Sequence, residues 1–131
     1  MTSNDFSVTG NDTWDFGAIF GDVNPIHMNG ITAKLFGQKG RIVHGMHAVA
    51  KCLSLVETKL MATGDADHGN TANHLVPSRS WAVSFKGPVP CGAKLAILKR
   101  SSSDGATSVD LHVSGSKRPS ICIRPISHSS L

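Results

Sequence analysis

From Gly45 to about Thr63 the apolar residues Met46, Val49, Ala50, Leu53, Val56 and Leu60 recur every three or four positions, and His47, Lys51, Ser54 and Thr58 form a polar line beside them. This period predicts one amphipathic helix, roughly 28 Å long at the usual rise per residue, with Gly64 as its stop. Asp65 to Asn73 is polar and glycine-bearing and reads as a loop. Beyond Pro77 the period becomes twofold. Trp81, Val83 and Phe85 alternate with Ala82, Ser84 and Lys86, and Gly87 to Gly92 turns. Leu95 to Leu98 is a continuous apolar run, and Asp104-Gly105 supplies a hairpin-type turn. Val109, Leu111 and Val113 then alternate with polar neighbours, as do Ile121 and Ile123 with Cys122 and Arg124. Four strands after one long helix predict an α+β layer architecture, an antiparallel sheet packed on that helix. Trp81 and Phe85 read as core.

Ahead of the helix, Thr9-Gly10-Asn11-Asp12 has the form of a capping box with Asp in the fourth place, and Phe16, Ile19 and Phe20 follow at helical spacing up to Gly21. A short helix from Asp12 to Phe20 is expected. Residues 5 to 8 leave room for only a short leading edge strand. Asn29 is placed to cap another short helix through Ala33 and Phe36, closed by Gly37, before a loop with Lys39, Gly40 and Arg41. No element is repeated, so residues 1–131 read as a single domain. Its uncovered sheet edges point to pairing across a two-fold axis.

Composition adds limits. Hydrophobic residues make up 40% and charged residues 17% of the 131, which is ordinary for a soluble globular chain. No apolar run approaches membrane-spanning length, and Met1 to Gly10 has neither the basic start nor the hydrophobic centre of a signal peptide. The expectation is a soluble intracellular protein without membrane insertion, cytoplasmic by default, with mitochondrial or peroxisomal residence compatible. Ser129-Ser130-Leu131 lacks the basic residue of a peroxisomal address. Cys52, Cys91 and Cys122 form an odd set without CxxC spacing, which favours reduced thiols over a disulfide framework or a zinc knuckle. The net charge of +4 is spread along the chain, with no aromatic ladder and no tyrosine, so nucleic acid is not the expected partner. A phosphate-bearing carrier would use the same positive surface.

The chemistry concentrates in Gly21-Asp22-Val23-Asn24-Pro25-Ile26-His27 and Ile42-Val43-His44-Gly45-Met46. Pro25 fixes its own φ and biases Asn24 away from helical geometry, so Asp22 to His27 should be a rigid, irregular bend. A carboxylate and an imidazole on that bend can hold one water and move protons to and from it. Gly45, at the start of the long helix, lets a ligand approach the backbone and offers a free N–H to an oxygen that gains negative charge.

These residues, with Ala33 and the later Val83-Ser84-Phe85-Lys86-Gly87-Pro88-Val89-Pro90-Cys91-Gly92, resemble the MaoC-like, (R)-specific enoyl-thioester hydratases over roughly Thr9 to Gly92. The resemblance implies a hot-dog fold, a sheet wrapped round one long helix. It also implies reversible addition of water across the double bond of a trans-2-enoyl thioester carried by CoA or ACP, with no metal and no cofactor. The family's catalytic Asp and His fall on Asp22 and His27, its structuring Asn on Asn24 and its oxyanion-binding glycine on Gly45. His44 and Met46 fall on positions that bind substrate or structure the site, and the family's dimers of single hot dogs imply a homodimer. His47 departs from the family's usual apolar residue and is expected to narrow the acyl pocket or face solvent. His44 and His47 are spaced as metal ligands on one helical face, but no cysteine or second His-x-x-His accompanies them. Two other uses of the fold are open, a thioesterase directing water at the thioester carbonyl and a non-catalytic acyl-thioester-binding subunit.

Overall fold

The computed structural model describes residues 4–62, 80–101, 103 and 107–126. The elements run β1 (Asn4–Ser7), α1 (Gly10–Phe20), α2 (Pro25–Met28), α3 (Gly30–Leu35), α4 (Gly45–Ala62), β2 (Ser80–Phe85), β3 (Lys94–Ser101), β4 (Thr107–Val113) and β5 (Ile121–Ile126). All five strands join one antiparallel sheet in the order β1-β3-β4-β5-β2, so β1 is the short edge expected from the sequence. The side chains of Thr58 and Leu60, Gly64, the 65–73 loop, Pro77, the Asp104-Gly105 turn and Ser129-Ser130-Leu131 lie outside the described residues.

Register explains the core. Pairing places Ile97 opposite Leu111, Leu111 opposite Ile121, and Val109 opposite Ile123, so one face of three strands is a continuous aliphatic surface. Leu95, Leu111 and Ile123 are fully buried there against Ala48, Val49 and Cys52 of α4, with Val8, Val43 and Val89 closing the rim. The helix therefore sits on the sheet through a stripe rotated from the one its hydropathy predicts, with Leu53, Leu55 and Val56 partly buried beside it. Met46 and Ala50, expected on the buried face, are exposed, while the small Ala48 and Cys52 are at zero exposure. Small side chains let helix and sheet backbones approach closely, and that contact outweighs the larger apolar residues on either side. Trp81 packs against this core as expected. Phe85 does not, being 53% exposed at the end of its strand.

Burial pushes the Cys52 thiol up to about 11, and all three cysteines are free thiols. No described helix is long and apolar enough to cross a membrane.

The opposite sheet face holds a feature that alternation alone treats as solvent-facing. Asp110 is 1% exposed, and its carboxylate accepts from Arg124 Nη2 at 2.6 Å and meets Arg100 Nη2 at 2.8 Å. Arg124 Nη1 also donates to the Val109 and Ile123 carbonyls, tying β4 to β5. Burial raises the affinity of this carboxyl for a proton, but hydrogen bonds from Arg124 and Cys122 and the two guanidinium charges outweigh it and hold Asp110 below its ordinary value. A carboxyl that binds protons less readily when folded adds stability above the usual carboxylate range near pH ~4 and loses it as pH falls below that range. Asp110→Asn is expected to destabilise the fold by about 1–2 kcal/mol at neutral pH, because both arginines are partly solvated. Urea melts between pH ~3 and ~6 check this: the variant should show a shallower acid loss than the parent.

Candidate active site

The site is delivered by caps. Thr9 accepts from Asp12 N–H at 3.2 Å and donates its own N–H to Asp12 Oδ2 at 2.8 Å, so α1 starts where the capping box places it. It ends at Gly21, whose φ of 72° is left-handed, and the chain turns out to Asp22. The segment that follows is only half the irregular bend expected. Asn24 Oδ1 accepts from Ile26 N–H at 3.2 Å and Pro25 occupies the first helical position, so Pro25–Met28 closes into one capped turn carrying His27. Asn29 then caps α3, which ends before Gly37 at φ 79°.

Ile42 fixes the tautomer of the His27 imidazole. Its N–H donates to the Ile26 carbonyl at 3.2 Å, and its carbonyl lies 2.8 Å from His27 Nδ1. A carbonyl only accepts, so Nδ1 carries the hydrogen and Nε2 of the neutral ring is left as a base. Asp22 is half exposed at 52%; its Oδ1 takes the Asn24 N–H at 3.4 Å and its Oδ2 lies 3.7 Å from His44 Nε2. His44 is 2% exposed, donates Nε2–H to the Asp22 backbone carbonyl at 2.9 Å, and stacks on the His27 ring with centroids 3.9 Å apart. One donor atom from each of Asp22, His27 and His44 falls within 4.8 Å of the others, a spacing from which a cation could be held. His44 Nε2 is already committed to a carbonyl, so its proton would have to be displaced first.

The long helix opens beside this group. Its first bonded donors are His47 and Ala48 N–H, both onto the His44 carbonyl at 3.0 and 3.2 Å. The N–H groups of Gly45 and Met46 are the unpaired donors of a helix start, at the positive end of its dipole. Asp22, His27, His44, Gly45, Met46 and Phe85 all line one cavity of about 520 Å³, together with the Lys86 to Val89 turn. Asn24 stands behind it as a cap.

Two residues differ from their sequence reading. Phe85, read as core, instead faces Gly45: a Cβ built on that glycine would overlap the Phe85 ring, lying 2.8 Å from Cδ1. Alternation could not separate it from Trp81 and Val83, because only its place at the strand end, opposite Ile121, leaves it uncovered. His47 is not among the residues lining the cavity; it is half-buried and lies flat on Phe16 at 4.7 Å. Burial, then the Lys51 charge, lowers its proton affinity. Phe16 itself joins the cavity wall, and nothing beyond helical spacing marked it.

The model of the family described as "MaoC like domain" matches residues 1–108. Over 82 residues the chain is 38% identical to the fatty acid synthase subunit beta of Gibberella zeae, a match covering 63% of this chain and 4% of that protein. It is 48% identical over 44 residues to 3-hydroxyacyl-thioester dehydratase X of Mycobacterium tuberculosis, covering 34% of this chain and 16% of that one. Among solved structures, HtdX of M. tuberculosis superposes with a TM-score of 0.71 at 26% identity, covering 94% of this chain and 47% of that one. The (R)-hydratase from A. caviae involved in PHA biosynthesis gives 0.69 at 16% identity, covering 95% and 89%, a likeness of fold alone. The chain thus spans about half the length of HtdX and a small part of the synthase subunit. With a five-stranded antiparallel sheet laid on one long helix and a family match over most of its length, this chain is a hot-dog protein and belongs to the MaoC-like hydratase/dehydratase family.

Proposed function

We propose that this protein is an (R)-specific hydro-lyase that interconverts trans-2-enoyl and (R)-3-hydroxyacyl thioesters of CoA or ACP in fatty-acid metabolism. The observation that carries the reading is the meeting, in one cavity, of the Asp22 carboxylate, a His27 ring with its Nε2 free, and the Gly45 N–H. In the hydration direction Asp22 and His27 hold one water between them. One takes its proton as the oxygen attacks C3, and the pair returns a proton to C2. Charge that develops on the thioester oxygen is met by the Gly45 N–H at the helix start. Hydration is redox-neutral overall, C3 being formally oxidised as C2 is reduced, so none of these steps calls for a redox partner. Asn24 fixes the turn that carries His27, and Met46 borders the acyl chain.

As a unit of 1–131 the chain works as one half of a homodimer in this reading. Support comes from the open edges of β1 and β2 and from Met46, Phe85 and Ile126, which are each more than 40% exposed. Light scattering should give a mass about twice 13.8 kDa; a monomer would remove the dimer from the proposal.

Stereochemistry tests the reaction. Incubated separately with (R)- and (S)-3-hydroxybutyryl-CoA, the protein should generate enoyl absorbance from the (R) substrate alone, with no free thiol. Thiol release without an enoyl signal would make it a thioesterase, and silence with short, long and carrier-bound substrates would make it a non-catalytic binding subunit.

A further inference from the structure

We propose that His44 is a positioning residue that holds both members of the acid/base pair, and that Gly17 exists to let it do so. This rests on the reading of Asp22 and His27 as that pair. His44 touches each of them differently. Its Nε2–H is 2.9 Å from the Asp22 carbonyl oxygen, which fixes the peptide from which the carboxylate projects. Its ring lies on the His27 ring at 3.9 Å with 30° between the planes, which fixes the plane in which His27 Nε2 points. His44 is also the residue before Gly45, and its own carbonyl accepts from His47 and Ala48, so its backbone closes the first turn of α4. One buried side chain therefore connects the carboxylate, the imidazole and the helix N-terminus.

The second ring nitrogen identifies the role. His44 Nδ1 is buried with no hydrogen-bond partner, so the ring is held by Nε2 and by stacking alone. A residue that shuttled protons would need an outlet at its second nitrogen, and a positioning residue does not.

Gly17 supplies the space. It is buried in the middle of α1, where glycine otherwise weakens a helix. A Cβ there would meet Met28 Cε at 2.5 Å, the far end of a flexible side chain, and would stand 2.7 Å from the Asp22 carbonyl oxygen and 3.3 Å from His44 Cε1. The carbonyl is backbone and cannot swing aside, so any side chain at 17 pushes on the same atom that His44 grips. The glycine leaves room for the Asp22 carbonyl beside α1, and His44 donates to that carbonyl.

Four variants separate this from a merely structural role. His44→Leu loses both contacts; His44→Gln keeps a donor for the carbonyl, and His44→Phe keeps the stack. Gly17→Ala presses on the carbonyl and, more weakly, on the edge of the His44 ring, with both imidazoles kept. His44→Leu and Gly17→Ala are expected to lower kcat by ~10- to 10²-fold, the scale of a small misplacement of reacting groups, with KM held within ~3-fold. His44→Gln and His44→Phe should each recover part of the loss. Unchanged kcat in His44→Leu, or a rise in KM with kcat intact, would overturn the proposal.

One measurement needs neither a folded variant nor turnover. Side-chain ¹⁵N NMR of the unmodified protein should find His27 as the Nδ1–H tautomer and His44 as the Nε2–H tautomer. An Nδ1–H tautomer at His44 would remove the bond on which the proposal stands. Correct tautomers in a protein inert toward every enoyl thioester would instead leave the geometry intact and refute the hydratase reading.

Discussion

Asp22→Asn is expected to lower turnover with an enoyl thioester by at least ~10²-fold, and His27→Ala by at least as much, the usual contribution of a positioned acid or base. The two substitutions act through different atoms. Asn at 22 has the shape of Asp, can accept the Asn24 N–H as before, and leaves the backbone carbonyl that His44 grips unchanged. What it lacks is the charge and proton affinity of a carboxylate. Because the Asp22 side chain is half exposed, its melting temperature should stay close to that of the parent. His27→Ala removes Nε2 from the cavity and the donor to the Ile42 carbonyl, so a small loss of stability accompanies the loss of rate. Steady-state rates of both variants, with thermal melts alongside, check this. Near-normal turnover in either would end the assignment of that residue.

Gly45→Val should be nearly as damaging for another reason. The glycine opens α4 and lines the cavity, and the space where a side chain would stand is filled by the Phe85 ring. In the proposed reaction valine puts bulk where the thioester oxygen would reach the helix N-terminus, so kcat/KM is expected to fall by ~10²-fold, comparable to removal of one oxyanion donor. Phe85 is 53% exposed and free to swing outward, so the cost in stability is small, about 1 kcal/mol. Relieving the overlap with Phe85→Ala should restore stability but little activity, since the bulk at the donor stays. A double variant that recovers full kcat/KM would place the damage in Phe85 and not at the N–H.

Much of this arrangement was legible because it is built from local signals. The Thr9 to Asp12 capping box, the Gly21 stop, the Asn29 cap and the twofold alternation of the strands each act within a few residues, and each sits where the sequence puts it. The candidate site was legible for a related reason. Asp22, His27 and Gly45 lie on two short segments zipped together by the paired hydrogen bonds between Ile26 or His27 and Ile42. What escaped depends on packing across the fold. The buried stripe of α4 is set by how closely Ala48 and Cys52 let the sheet approach, which hydropathy does not encode. Phe85 repeats the pattern of Trp81 and Val83, yet its place at the strand end leaves it 53% exposed. Asp110 looks like any outward polar residue until Arg100 and Arg124 from neighbouring strands close over it. Gly17 reads as a weak point in a helix, and its use becomes visible only with the Asp22 carbonyl beside it.

The central claim is that Asp22 and His27 add water to an enoyl thioester, and the ultraviolet absorbance of crotonyl-CoA tests it most directly, with thiol release followed in parallel. The account predicts that the parent protein removes enoyl absorbance without releasing thiol and that Asp22→Asn does so at least ~10²-fold more slowly. An Asp22→Asn protein that hydrates as fast as the parent, or a parent that releases thiol in step with the lost absorbance, would contradict it.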